Sequence, residues 1–543
     1  MKKYIKLLAL FLAMIMLCSC SVVNGAITSI IESTREAAAS ESPEPSPEES
    51  EEPSDEPEEI VSSIESSNHQ FGVAFDPDGS FNPITSQNRL NQDIIYLIYE
   101  GLFEVTPEYT ARPVLCTSYD VSDNLLVYTF NIRTGVKFHN GQSMTAEDVV
   151  YSLNMASNTE SSVYSSRFHS VATITALDDY TVQIVLGSPY EQLPLILDVP
   201  IIPEGSIDTA VPSGTGPYKL SGSGDSLTLL KNNDWLNSSR LPFDQIYLYN
   251  AETSDTLRDD FETSRIDLLK IDPTGTSSIT FHNDYELFQY STNIFQYVGF
   301  NYDSDVFSNE YARRAVCYCI DRETIVEDAY KGRAAAAVLP CREESILYDA
   351  ALSEKHGFNT ARVKEIFEEG GFTTLDSTGL MYFETSLFMQ PLTVDFIVNS
   401  ENPYKVASAE RIAEVMNENG FSVTLRLLTY DDYMKALNTD DYDMYLAEVK
   451  LTPDFDLTTI LTYYGKLNFG TVTYEDLSLY IKGALENSGA ALDLFILIYE
   501  HGLMAPVLFK DQAVIAPRGL ITNLSPTAAN SFYGISDWII NFE

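Results

Sequence analysis

Thiols and imidazoles are the side chains of this chain best suited to metal or redox chemistry, and their spacing favours neither. Four cysteines stand apart from the N-terminus, at Cys116, Cys317, Cys319 and Cys341, and no pair has the C-x-x-C spacing of a zinc or redox site. The chain has six histidines without a close pair, and imidazole is the usual ligand of nickel-like metals. No metal and no cofactor are therefore predicted, and the four cysteines are predicted to be small buried apolar residues.

The sequence also lacks the motifs of several common enzyme classes. The chain contains no G-x-S-x-G, H-E-x-x-H or G-x-x-x-x-G-K-[ST] motif, and the G-T-G at 214–216 lacks the third glycine of a dinucleotide fingerprint. Carboxylates abound in so acidic a chain, so composition alone leaves a glycosidase open. Because no constellation of residues supports a catalytic site, the chain is predicted not to be an enzyme.

The charge balance limits the classes of partner. With 33 basic and 79 acidic residues the formal net charge is −46. Nucleic-acid binding needs basic patches that neutralise phosphates, so no nucleic-acid partner is predicted. Long-range repulsion would also slow the approach of an anionic ligand, which is a weaker argument against such a ligand.

The N-terminus has the pattern of an export signal. Two lysines precede an apolar run over 5–17, which is shorter than the roughly 20 residues needed to cross a bilayer core. The sequence L-C-S-C at 17–20 resembles the lipobox of bacterial lipoproteins, and this resemblance implies that Cys20 is diacylated and becomes the mature N-terminus. Residues 1–20 are thus predicted to be a lipoprotein signal peptide, and the chain to lie outside the cytoplasm with a lipid in the membrane. An ordinary signal peptide with chance cysteines is the alternative.

Residues 21–68 differ in composition from the rest of the chain. They are rich in Pro, Ser and Glu and almost free of aromatics, so they cannot bury enough apolar surface to fold. The segment is predicted to be a disordered, extended tether. The body that follows, from about residue 71, is long enough for two or three domains.

The body alternates strand-like and helical patterns. Apolar residues alternate over 126–132, and Thr145 with Asp148 offers a helix N-cap and its N3 partner. Two further helices are predicted over 311–330, with an interruption near Asp321, and over 362–369. A strand–helix–strand unit at 392–398, 407–419 and 422–428 predicts an α/β sheet with mostly parallel strands.

Several motifs, in order, resemble the family 5 solute-binding proteins, which are the oligopeptide, dipeptide and nickel receptors of ABC importers. The longest are RTGVKFHNG at 133–141 and MTAEDVVYS at 144–152. Shorter ones are NP at 82–83, YEGL at 99–102, GTGPYKL at 214–220, RRA at 313–315, IDRE at 320–323 and YKGRA at 330–334. Together they cover nearly all of the chain after the tether.

The resemblance implies an α/β protein with the type II periplasmic-binding-protein fold. In that fold two lobes close around a ligand cleft, and this family carries an extra domain inserted in the first lobe. By analogy lobe I is expected at 71–97, 202–297 and 503–543, the inserted domain at 98–201, and lobe II at 298–502.

The implied function is capture of a small solute, an oligopeptide or dipeptide, for delivery to the permease and ATPase of an ABC importer. The receptor is expected to act as a monomer and to bind by lobe closure. A non-peptide solute such as an oligosaccharide or a modified amino compound, a sensory role, and a nickel receptor are the alternatives.

The site residues follow from the same resemblance. Family peptide receptors commonly hold the ligand α-ammonium with an Asp shortly after a Trp, but here those positions are Val449 and Thr452. Glu448, Asp454 or Asp456 could supply the missing carboxylate, and the last two could instead cap a helix starting near Leu457. The remaining candidates line the family's cleft or lie near the lobe crossing, where core packing is the alternative: Tyr463, Tyr464, Asn468, Tyr297 and Asn301.

Overall fold

The computed structural model describes residues 70–542 except 252, 277–278, 376, 463–464 and 471–475. The predicted signal peptide (1–20), the lipidation site Cys20 and the tether (21–68) lie outside the described residues. Within them, no helix has the length and apolar character to span a bilayer.

Strands occur along the whole described chain, and two of them are much longer than the rest. Those before residue 280 are β1 (Gly72–Phe75), β2 (Phe103–Val105), β3 (Ala111–Pro113), β4 (Cys116–Val121), β5 (Val127–Ile132), β6 (Val171–Asp178), β7 (Thr181–Leu186), β8 (Tyr218–Ser221), β9 (Thr228–Lys231), β10 (Gln245–Asn250) and β11 (Leu269–Ile271). The later ones are β12 (Tyr285–Phe300), β13 (Ala334–Ala336), β14 (Thr373–Thr374), β15 (Met381–Glu384), β16 (Met389–Pro391), β17 (Thr393–Asn399), β18 (Ser422–Leu428), β19 (Met444–Lys450), β20 (Ala505–Pro517), β21 (Ile521–Thr522) and β22 (Ile539–Ile540).

Helices are concentrated in the second half of the chain. In order they are α1 (Arg89–Asp93), α2 (Ile95–Ile98), α3 (Ala146–Asn158), α4 (Ser254–Glu262), α5 (Glu310–Cys319), α6 (Arg322–Thr324), α7 (Ala350–His356), α8 (Thr360–Glu369), α9 (Pro403–Glu418), α10 (Tyr430–Asn438), α11 (Thr458–Leu461), α12 (Leu477–Glu486) and α13 (Ala491–His501).

Local sequence signals account for several of these boundaries. The backbone N–H of Thr145 donates to Asp148 Oδ2 at 2.9 Å and α3 begins at the next residue, which confirms the predicted capping box. The interruption predicted near Asp321 is also confirmed. There α5 ends at Cys319, and the Asp321 side chain accepts from the N–H of Thr324 to start α6.

The predicted strand–helix–strand unit forms, but the sheet that contains it is mixed. β17 pairs in parallel with β18 and with β19, and α9 is the crossover between β17 and β18. The sheet order is β11-β20-β12-β19-β17-β18, with β13 also on β20, and all pairings of β12 and β20 are antiparallel. The expectation of mostly parallel strands therefore holds only at one end of this sheet, because β12 and β20 enter it as long strands rather than through helical crossovers.

The two long strands β12 and β20 connect the two large apolar clusters of the described residues. Tyr290 and Val514 belong to a cluster built mainly from residues 71–248, whereas Phe295 and Phe509 belong to one built mainly from residues 295–509. A smaller sheet, β1-β10-β9-β8, and another, β4-β5-β7-β6, both contribute to the first cluster. The chain thus has two packed bodies that share one pair of strands.

The four described cysteines are free and buried, as predicted. Burial raises the pKa of the Cys116 thiol to about 11 and that of Cys317 to about 12. Thiols held in the neutral form behave as small apolar side chains.

The G-T-G turn at 214–216 is a close backbone contact. Gly216 N–H donates to the carbonyl oxygen of Ile98 at 2.9 Å. A Cβ at Gly214 would lie 1.9 Å from that same oxygen, so the turn can pack against α2 only with glycine at this position. His139 Nε2 lies 3.0 Å from the carbonyl of Gly216, which gives the motif histidine a structural contact.

Replacing Gly214 with alanine should therefore destabilise the protein. The added methyl must displace backbone, and overpacking of this kind costs about 1–3 kcal/mol. The urea midpoint of Gly214→Ala should fall relative to that of Gly187→Ala, whose added Cβ meets only Ser170 O at 3.9 Å. Equal midpoints for the two variants would contradict the close-contact interpretation.

Candidate functional site

A cavity of about 1000 Å³ lies beside the point where β12 and β20 pass from one apolar cluster to the other. Residues 288–294 of β12 and Asp511 with Gln512 of β20 line it. The other lining residues fall within the segments 86–109, 163–198, 450–453 and 524–529, together with Lys270, Asp272 and Glu344. Segments that are distant in the chain therefore meet around one concave space, as in a ligand-binding site.

Most of the charged groups on the cavity wall are paired with one another. Lys270 Nζ lies 3.1 Å from Asp93 Oδ1, and Arg167 forms an ion pair with Asp198. Both pairs are largely buried, and a buried charge is tolerated only when it is paired. These four side chains form a rigid, nearly neutral part of the wall.

A second network lies behind the wall and contains the predicted residue Glu448. Its Oε2 accepts from Gln296 Nε2 at 2.7 Å, and its Oε1 is 3.2 Å from Lys405 Nζ. Lys510 Nζ, almost fully buried, lies between Glu448 at 3.8 Å and Asp272 at 2.9 Å. Glu448 thus already has two lysine partners and does not line the cavity.

Arg342 lies at the centre of a third group of charged side chains at the cavity. Its guanidinium is 2.8 Å from Asp511 Oδ1 and 3.3 Å from Glu344 Oε1. Arg342 Nη2 also donates to Ser291 Oγ at 2.6 Å, and that hydroxyl donates to Glu344 at 2.6 Å. Sequence reasoning missed Arg342, because its partners Asp511 and Ser291 are distant in the chain.

Lys450 projects from the end of β19 into the cavity. No carboxylate of the described residues lies within 4.0 Å of its ammonium group, although solvent reaches it. Partial desolvation by the surrounding protein, together with the nearby charges of Lys270 and Arg167, lowers the pKa of the Lys450 ammonium to about 8. Lys450 directly follows the predicted residue Glu448 and its neighbour Val449, but no local pattern distinguishes it from other lysines of the chain.

The predicted residues Asp454 and Asp456 lie together away from the cavity lining. Asp454 is 3% exposed, its Oδ2 accepts a hydrogen bond from the Tyr190 hydroxyl, and its Oδ1 has no hydrogen-bond partner among the described residues. Asp456 Oδ1 accepts from the N–H of Thr458, the first residue of α11, at 2.8 Å. His169 Nε2 is 4.0 Å from Asp456 Oδ2.

Burial dominates the electrostatics of this acidic pair. It raises the pKa of Asp456, and the neighbouring carboxylate of Asp454 raises it further. The same two influences, burial first, raise the pKa of Tyr190. Asp454 and Asp456 therefore differ from the solvated loop carboxylates that a sequence pattern alone suggests.

The other predicted site residues lie outside the cavity lining or outside the described residues. Tyr297 is buried against Phe295 and Tyr445 in the second cluster. Asn301 Nδ2 donates to the carbonyls of Asp440 and Tyr442. Thr452 Oγ1 is buried without a partner among the described residues, and Asn468 Nδ2 donates to Thr462 O at 2.9 Å. Tyr463 and Tyr464 are not among the residues that the structure describes.

Two packed bodies flank a cavity at a shared strand pair, an arrangement suited to a protein that binds a small ligand. Residues 110–470 match the family described as bacterial extracellular solute-binding proteins, family 5, middle region. The chain belongs to this family, and the resemblance read from the motifs is confirmed.

Curated relatives agree with this assignment. The glutathione-binding protein GsiB of Salmonella paratyphi A is 27% identical over 316 residues, which cover 55% of this chain and 61% of GsiB. The oligopeptide-binding protein AppA of Bacillus subtilis is 22% identical over 382 residues, covering 67% of this chain and 69% of AppA. The chain thus spans about three-fifths of the length of the glutathione-binding relatives that it matches.

A solved structure extends the likeness over the described body. The ABC transporter substrate-binding protein CtaP from Listeria monocytogenes superposes with a TM-score of 0.69 at 20% identity, covering 87% of this chain and 99% of CtaP. The predicted α/β fold of the periplasmic-binding-protein type is confirmed.

The raised pKa of Asp456 predicts a pH-dependent stability. The folded state keeps this proton at pH values where the unfolded chain, with an Asp pKa of about 3.9, has lost it. Stability is therefore lost as pH rises from about 4 through the raised pKa. Asp456→Asn cannot ionise and still accepts from Thr458, so its melting temperature relative to wild type should be higher at pH 7 than at pH 4.

Asp123→Asn, at an exposed turn between β4 and β5, is the matched control. Its melting temperature should differ from that of the wild type by the same amount at both pH values. If the melting temperature of Asp456→Asn relative to the wild type does not change with pH, this carboxyl has the same pKa in the folded and unfolded states.

Proposed function

We propose that this protein is an extracytoplasmic receptor that binds a peptide-class solute in the cavity and delivers it to an ABC importer. The observation that carries the proposal is the cavity of about 1000 Å³ at the β12–β20 crossing, lined by polar groups from both packed bodies. Small-molecule sites commonly range from about 300 to 1,000 Å³, so this space suits a ligand of several residues rather than a single ion. GsiB and AppA, named for glutathione and oligopeptide binding, support the same ligand class.

The receptor works by differential binding rather than by bond-making, and is therefore not an enzyme. A ligand that contacts both lobes is held better when they approach each other, so binding shifts the population toward the closed form. We place lobe I at 71–97, 202–297 and 503–543, an inserted domain at 98–201 and lobe II at 298–502. In support, residues of lobe II fall mainly in one apolar cluster, and residues of the other segments fall mainly in the other cluster.

The closed form would present a surface that the permease and ATPase complex recognises. The partners are thus a peptide ligand and an ABC importer, and the receptor acts as a monomer. The formal net charge of −46 supports the exclusion of nucleic acid from this set.

Native mass spectrometry of the purified full-length chain tests the ligand class. We expect co-purified peptides of a few residues, released on denaturation and identified by fragmentation. Ile294→Trp, which fills the cavity at the strand crossing, should lower peptide affinity at least tenfold. Leu387→Trp, at a position 86% exposed, is the matched control and should bind as wild type does.

Recovery of sugars, together with the absence of binding to any peptide, would exclude the peptide proposal. Equal loss in both tryptophan variants would mean that the effect does not come from filling this cavity.

We further propose that a diacylated Cys20 anchors the receptor to the membrane surface and that residues 21–68 hold the body away from it. The lipobox-like L-C-S-C and the acidic, Pro-rich composition of 21–68 support this arrangement. Two acyl chains give the stable anchoring that one chain does not.

Metabolic labelling with a radioactive fatty acid tests the anchor. Cys20→Ala should abolish incorporation and release the protein from the membrane fraction, whereas Cys18→Ala, two residues earlier, should keep both label and location. Label retained in Cys20→Ala would place the lipid on another residue, and absence of label in the wild type would exclude the lipid anchor.

A further inference from the structure

Two cations that line the cavity have no carboxylate within 4.0 Å among the described residues. They are Lys450 at the end of β19 and the exposed Arg89 at the start of α1. By contrast, the lining carboxylates Asp93, Asp198, Asp272, Glu344 and Asp511 each have a cationic partner within that distance. Glu108, on an exposed loop, is the remaining lining carboxylate. The cavity therefore offers unpaired positive charge.

Backbone contacts fix the position of Lys450. Lys450 pairs in register with Ile294 of β12, which itself lines the cavity. The next residue, Leu451, donates its N–H to the carbonyl of Asn293 at 2.9 Å, and the Asn293 side-chain amide donates back to the carbonyl of Leu451. Because the strand end is held on both sides, the lysine stem starts from a rigid point at the crossing.

The charged groups around Lys450 leave it without a carboxylate partner of its own among the described residues. Its charged neighbours are the pairs Lys270–Asp93 and Arg167–Asp198, so three cations face two carboxylates. Each of those carboxylates is already engaged by its own cation, and the Lys450 side chain is exposed at the cavity surface, where an entering ligand can reach it. A cation held in this way is stabilised when an anionic oxygen enters and completes the set.

We propose that Lys450 binds a carboxylate of the ligand, so that the cavity selects peptides or amino-acid derivatives with a free carboxylate. This inference rests on the proposed function and names the chemical class of its ligand. The long-range repulsion expected from a net charge of −46 does not oppose it, because a zwitterionic peptide carries a carboxylate without carrying net negative charge.

The carboxylate could be the α-carboxylate of the peptide or an acidic side chain, and three random pentapeptide libraries separate these sources. The first lacks Asp and Glu and has free C-terminal acids, the second is the same set as C-terminal amides, and the third is an amide library containing Asp and Glu. Binding to the full-length chain is measured by calorimetric titration and by mass spectrometry of the retained peptides.

Wild type should bind the first library about tenfold more tightly than the second, since a charge-assisted hydrogen bond is lost with the acid. Retention of acidic members of the third library would assign the carboxylate to a side chain as well. Lys450→Met should abolish the preference for acids, Lys450→Arg should keep it, and Lys364→Met on the exposed face of α8 should leave it unchanged. Lys450→Gln is the second neutral variant should the methionine variant fold poorly.

Equal binding of wild type to acid, amide and acidic-amide libraries would overturn this inference while leaving the peptide receptor in place. An undiminished preference for acids in both neutral variants of Lys450 would do the same. Failure of wild type to bind any of the three libraries would overturn both the inference and the proposed function.

Discussion

The antiparallel pairing of β12 with β20 is the constraint on which the arrangement of the site depends. Main-chain hydrogen bonds join the two strands from Tyr285 opposite Pro517 to Val298 opposite Ala505, with a register shift between Ser291 and Ile294. At that shift the side chain of Thr292 replaces a ladder bond: its hydroxyl donates to Lys510 O at 2.6 Å and accepts from the N–H of Ile294 at 3.1 Å. The bulge changes the twist of the β12–β20 pair at the point where the two strands pass from one apolar cluster to the other. The Thr292 hydroxyl therefore satisfies two backbone groups at the junction of the two bodies.

The positions of the charged groups around the cavity also depend on the crossing of β12 and β20 between the two clusters. Taking Lys510 or Lys270 out of water costs free energy, and each is compensated only by a carboxylate held in good geometry. Such pairs contribute little net stability, but they fix the walls and leave them nearly neutral. Against this background Lys450 and Arg89 differ from the other cations of the lining, because no carboxylate of the described residues lies within 4.0 Å of either.

Asp454 and Asp456 illustrate how one residue type serves different purposes. Both were predicted as possible ligand carboxylates because the chain lacks an acidic residue at Thr452. In the structure one carboxylate accepts from the first N–H of α11 and the other from Tyr190, so burial and local hydrogen bonds account for their positions. The cavity is instead lined by charged groups of both signs from distant segments, and its unpaired Lys450 changes which part of a peptide the cavity is expected to recognise.

The sequence by itself determined the family, the fold class and several element boundaries, because these depend on signals that are local in the chain. The Thr145 capping box, the break at Asp321 and the alternation over 126–132 each involve neighbours within a few residues. Motifs such as RTGVKFHNG and the G-T-G turn likewise carry their information in short stretches. Only the tertiary structure decided which charges meet: Lys270 pairs with Asp93, Arg342 pairs with Asp511, and Lys450 pairs with no carboxylate in the described part of the chain. A charged side chain looks the same in the sequence whether it is paired or not, since its partner is chosen by the folding of distant strands and not by its neighbours along the chain.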